Sequence, residues 1–174
     1  QQYLLESMIQ VFPDEFHIQT LELMLSSYAN ALPTVDMKPI MVTLMSRLSN
    51  YLTEAEGGEA VVGAGDIFGL FRTHLQQILE RSLQPPAAGA PATEPDMSAP
   101  LEVQAAFMQF TVSLYPDKIH YVDIILGSTK ELLQKFMMLH GGNGKLPQAA
   151  AEKVVDLLSG PLKTMGLGVL NMEH

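Results

Sequence analysis

The sequence predicts an all-α fold of antiparallel helix pairs, on three observations. Apolar residues recur at i, i+3, i+4 and i+7 along most of the 174 residues, whereas the alternation of a half-buried strand is nearly absent. Glycine and proline clusters cut this pattern into segments of helical length. A six-residue pattern, FPDEFH at 12–17 and YPDKIH at 115–120, stands twice between such segments.

The first stripe carries Leu5, Met8, Ile9 and Phe12; it has no capping residue before it, so the chain is expected to begin inside a helix. A second helix is expected over 14–32, with Leu21, Met24, Leu25, Tyr28 and Leu32 inward. The third, over 36–53, carries Met37, Ile40, Met41, Leu44, Leu48, Tyr51 and Leu52. Stripes this wide pack against two neighbours. A glycine-rich loop precedes a fourth helix over 66–83, marked by Ile67, Phe71, Leu75 and Ile78. Residues 84–99 then hold four prolines and little to bury, which predicts a mobile proline-rich linker between helices. Spacing is the better reading of this stretch than a motif for a proline-reading domain. Further helices are expected over 100–114 and 117–139, then over 147–158, with a shorter one from Pro161. The whole chain, 1–174, reads as one unit.

The repeated pattern explains itself as a joint. Proline lacks an amide hydrogen and disfavours α geometry in the residue before it, so Pro13 ends a helix at Phe12 and Pro116 ends one at Tyr115. Asp14 and Asp117 are then expected as N-caps, with His17 and His120 bonding between helices. The ring before each proline should fold onto an apolar residue two or four positions into the new helix. The corners lie 103 residues apart, from 12 to 115. Discounting the proline-rich insertion, each helix pair takes roughly 40–45 residues, the length of a HEAT-type unit in a stacked α-solenoid. Charged residues such as Glu22, Arg47, Arg72 and Lys130 are expected on the outside.

Chemistry is sparse. With no cysteine there is neither a disulfide framework nor a thiolate metal site. The net charge of −9 lacks the basic footprint of a nucleic-acid binder and disfavours direct docking on an anionic membrane. No HExxH, GxSxG or CxxC pattern occurs. The GGNGK run at 141–145 follows a helix and lacks the Ser or Thr of a phosphate loop, so it reads as a helix-ending turn. Gly63, Ala64 and Gly65 are followed by Phe68, where a dinucleotide fingerprint needs glycine. Glu54, Glu56 and Glu59 lack the alternating ligands of a calcium loop. His74 and His140 stand alone, and the methionines fall mostly on buried stripes. No catalytic, metal or cofactor residue is assigned. An all-α hydrolase would need Asp14, His17, Asp117 and His120 in one pocket.

The run YLLESMIQVFPDEFHIQTL, the helix over 37–52 and LYPDKIHYVDIIL together resemble the large α-solenoid subunit of the retromer coat, a vacuolar-protein-sorting scaffold. The resemblance covers residues 1–140 well and the last thirty loosely. It implies a non-enzymatic span between an arrestin-like and a metallophosphoesterase-like subunit, in a complex recruited by sorting nexins and a small GTPase. It implies a cytoplasmic location, peripheral on endosomal membranes through partners, and a role in retrograde transport. The family's PRLYL-type motif is absent from the chain, so no partner-binding residue carries over, and those sites are expected outside this segment. The proline-rich insertion departs from the family pattern. Another HEAT or armadillo scaffold is the alternative reading.

Overall fold

A computed structural model describes residues 1–31, 35–54, 65–83, 97–139 and 148–165. The GGNGK run, His140, Glu56, Glu59 and positions 84–96 of the proline-rich stretch lie outside the described residues. Eight helices are present among the described ones: α1 Gln2–Val11, α2 Asp14–Gln19, α3 Leu21–Ala29, α4 Met37–Glu54, α5 Ile67–Ser82, α6 Ser98–Leu114, α7 Ile119–Leu139 and α8 Gln148–Met165.

Each boundary has a local cause. The single helix expected over 14–32 divides at Thr20, whose hydroxyl bonds back to the Phe16 carbonyl at 2.7 Å and whose backbone leaves helical geometry. Asp66 caps α5 by accepting the Gly69 amide at 2.8 Å. A Cβ on Gly69 would lie 2.1 Å from the Asp66 carboxylate, so a side chain there would force the carboxylate to shift from its present position. Helix α6 begins at Ser98, two residues earlier than expected, with Pro100 in its first turn, where an amide has no helical partner to lose. Helix α8 runs without a break through Gly160 and Pro161, where the sequence suggested two pieces. The proline removes one amide bond there but its fixed φ suits the helix.

Packing arranges these helices in two stacks. Helices α1, α4, α6 and α8 contact one another in that order, and α3, α5 and α7 do the same beside them; α2 rests on α4. This is α-solenoid packing, in which a helix is covered by the next member of its own stack. Helix α6 touches α4, α8, α5 and α7 and buries Leu101, Val103, Phe107, Met108, Phe110 and Val112 around most of its circumference. Where the stacks meet, the Phe68 ring lies between Phe107, at 5.3 Å, and Tyr121, at 3.8 Å and nearly parallel. Met24, Met41, Met45, Met97 and Met108 are buried in the same core.

Ion pairs follow the stacks as well. Glu102 on α6 reaches Lys38 on α4 at 3.0 Å and Lys153 on α8 at 3.3 Å, so one carboxylate ties three successive helices. Lys135 on α7 pairs with Glu80 on α5. The Lys38 hydrogen bond, helped by Lys153, holds the Glu102 carboxyl below its usual value against the opposing effect of burial. Such half-exposed pairs contribute up to about 1 kcal/mol each.

Because the folded-state value is depressed, this stabilisation is complete above the ordinary carboxyl value of 4.5 and is lost as pH falls through the folded value. Glu102→Gln should lower the melting temperature by about 1–4 °C at pH 7. The difference should shrink in ~1 M salt and vanish in acid, as read by paired thermal melts.

Candidate functional site at the repeated corners

At the first corner the chain passes through Pro13 in extended geometry (φ −67°, ψ 158°), which makes Pro13 itself the N-cap of α2. The Phe16 and His17 amides bond to the Pro13 carbonyl at 3.1 and 3.3 Å. Asp14 is therefore the first helical residue and makes no cap bond, contrary to expectation. Its carboxylate still lies in the first turn, where a helix favours negative charge. It stands 2.8 Å from Arg47 Nη2, an ion-pair distance whose angle falls short of a directed hydrogen bond. The Phe12 ring stacks on Phe16 with centroids 4.6 Å apart.

Arg47 is the residue that pattern reading misplaced. From α4 its guanidinium donates to the carbonyl of Ile9 and, at 3.4 Å, to that of Phe12, while pairing with Asp14. A cation thus closes the C-terminal end of α1 and holds the start of α2. Glu22, Arg72 and Lys130 are exposed as expected; Arg47 is half-buried. Arg81, near the end of α5, does the same for α3 by donating to the carbonyls of Ala29 and Ala31. Both arginines sit on apolar stripes, three residues after Leu44 and Ile78. A cation inside such a stripe is the signal that could have revealed them.

His17 is fully buried and its Nε2 lies 3.1 Å from the Ile9 carbonyl, across from α2 to α1. That bond places the proton on Nε2, and Nδ1 has no partner among the described residues.

The second corner repeats the proline, the aspartate and the histidine at the same spacing and has another geometry. Pro116 and Asp117 form a turn closed by the Lys118 amide on the Tyr115 carbonyl at 3.0 Å, and α7 begins only at Ile119. Asp117 therefore stands outside the helix, exposed, and the expectation that it is an N-cap fails. The two-residue delay puts His120 in the first turn, exposed, with its ring against Tyr121 at 4.5 Å and not in a buried inter-helix bond. Tyr115 packs edge-on to Tyr121 at 5.3 Å and not on Ile119, which is solvent-exposed. Burial pushes the Tyr115 pKa up to about 12, against the lowering effect of the Phe68 backbone near the start of α5.

The first corner thus engages α4 and the second engages α5. Among the described residues no three His, Cys, Asp or Glu side chains converge as a metal site needs, and the Asp14/His17 and Asp117/His120 pairs form no common pocket. Among the described helices none is long and apolar enough to cross a membrane.

Arg47→Ala leaves two carbonyls and Asp14 without their cation and should cost about 1–3 kcal/mol. Arg47→Lys should recover little, since an ammonium lacks the planar fork. His17→Ala should cost about 2–4 kcal/mol and His120→Ala less than about 0.5. Urea midpoints at constant slope read all four.

Comparison with known proteins gives these observations a lineage. The family model for vacuolar protein sorting-associated protein 35 matches residues 1–174. Vacuolar protein sorting-associated protein 35B of Arabidopsis thaliana is 32% identical over 163 residues, which is 94% of this chain and 19% of that protein. The 35C protein of the same plant is 32% identical over 92% of this chain and 18% of its own length. Vacuolar protein sorting-associated protein 35 of Dictyostelium discoideum is 30% identical over 76% of this chain and 16% of its own. The chain spans about a fifth of the length of these relatives. With every residue inside the family match, the chain belongs to the vacuolar protein sorting-associated protein 35 family.

Proposed function

We propose that this chain is a scaffold segment of the retromer endosomal cargo-sorting coat and acts by spanning the distance between partner-subunit sites in retrograde protein transport. The observation that carries this reading is the run of contacts from α1 through α4 and α6 to α8, with a second stack beside it. A two-stack run of this kind sets a length and a curvature, and its membership of a family named for vacuolar protein sorting supplies the setting.

The mechanism is geometric. Interactions between neighbouring members of a stack fix the rotation from one helix pair to the next, and that rotation sets where the two ends point. Phe12, Pro13, Asp14, His17, Tyr115, Pro116, Asp117 and His120 act as joints in this arrangement, with no chemical step assigned to them. The arrestin-like and metallophosphoesterase-like subunits, the sorting nexins and the small GTPase bind outside this segment. They bring it to the cytoplasmic face of endosomes, so its membrane association is indirect.

Isothermal titration of the 174-residue chain and of the full-length subunit against the arrestin-like and metallophosphoesterase-like subunits tests the reading. The full-length subunit should bind both and this chain neither. Heat of binding with the chain itself would place a partner footprint on these helices and overturn the spanning role.

A further inference from the structure

The two stacks are not equally tight. Helix α6 lies along α4 and α8, and α3 lies along α5, but α5 and α7 approach each other at only a few points. These two helices are held at their ends. Near their N-termini the Phe68 ring of α5 and the Tyr121 ring of α7 stack with centroids 3.8 Å apart, and Tyr115 closes on Tyr121 edge-on. Near their C-termini Lys135 of α7 pairs with Glu80 of α5, which Gln76 also reaches at 3.2 Å. Between the two ends lie two small clefts of about 10 Å³ each. The same three polar side chains line both: Gln76 of α5, Gln104 of α6 and Ser128 of α7. Gln104 is 3% exposed and donates to Ser128 at 3.3 Å, so a polar group forms the floor of the seam. Each cleft has about the room of one water molecule, with polar partners to hold it.

We propose that the α5–α7 seam is a hinge of the solenoid, with the Phe68–Tyr121 stack as its pivot and the Lys135–Glu80 pair as its latch. Separating apolar faces exposes surface that water penalises, which keeps α6 fixed on α4 and α8. Opening the α5–α7 seam instead exchanges polar contacts for water at little net cost. The aromatic stack resists separation at one end. The latch at the other end is half-exposed, and a pair of that kind holds weakly and yields to salt. Apolar residues that also line the clefts, Leu75 and Ile125 among them, limit how far the seam opens. From Tyr121 to Lys135 is 14 residues, a lever of ~21 Å, so ~10° of opening moves the latch end by ~4 Å. That motion turns α7 relative to α5 and changes the curvature of the stack. It belongs to the fold itself and holds whether or not the chain spans partner sites.

The chain has no cysteine, so cysteines introduced in pairs take spin labels at chosen positions only. Gln77→Cys with Gln134→Cys labels exposed positions near the latch, and Thr73→Cys with Asp123→Cys labels exposed positions nearer the pivot. Pulsed electron resonance reads both distances. Lys135→Met should broaden the latch-end distribution and lengthen it by ~2–4 Å, with less than half that shift nearer the pivot. Salt at ~1 M should do the same to the unsubstituted seam and add nothing to Lys135→Met. Lys153→Met, which removes a similarly exposed cation from the tighter stack, should leave both distances in place. Gln104→Met, similar in shape but apolar, should narrow the latch-end distribution. A latch-end distance that ignores both Lys135→Met and salt would overturn the hinge. Equal lengthening at both ends, or the same lengthening after Lys153→Met, would mean general loosening and would overturn it as well. An unchanged width in Gln104→Met would overturn the role given to the polar floor.

Discussion

Leu101, Val103, Phe107, Met108, Phe110 and Val112 leave α6 almost no face to offer water. A helix of that composition must be enclosed, and four neighbours enclose it: α4 and α8 within its own stack, α5 and α7 from the other. The remaining helices are arranged by this requirement. Helix α4 turns Ile40, Met41, Leu44, Met45, Leu48 and Leu52 inward, and with them meets α6 on one side and α1 with α2 on the other. The apolar term is non-directional. It brings these helices together without choosing which helix end meets which neighbour.

Direction comes from polar groups. Arg47 and Arg81 each reach from a helix interior or end to the terminal carbonyls of the previous member in the packing order. Glu102 and Glu80 take cations from adjacent members of the same stack. Individually these half-exposed contacts are small beside the burial of the core. Their geometric demand is narrow, however, because a guanidinium fork accepts only certain placements of its oxygens. The seam therefore fixes register and rotation, and curvature follows from rotation.

The all-α class and most helix limits were legible because they rest on apolar periodicity, a property of the chain alone. Others were not. The break at Thr20 depends on a hydroxyl choosing its own backbone, and the passage through Pro161 depends on a helix tolerating one lost bond. The corners show a deeper limit. FPDEFH and YPDKIH share their spacing, yet α2 starts at its aspartate and α7 starts two residues after its own. The difference lies in what surrounds each corner. Arg47 and the Ile9 carbonyl await Asp14 and His17, whereas the second corner gives its tyrosine to the start of α5. A shared spacing cannot reveal partners contributed by other helices, such as Arg47 from α4.

Hydrogen exchange of the folded chain, read helix by helix, tests most directly the claim that stability passes between neighbours in a stack. Amides of α4 and α6, covered on two sides, should exchange most slowly, with α1 and α8 faster. Removing the Arg47 guanidinium should speed exchange in α1 and α2 first and leave α6 through α8 nearly unchanged. Equal protection in all helices, or a uniform loss on removing Arg47, would mean one globular unit with no layered coupling and would contradict the account.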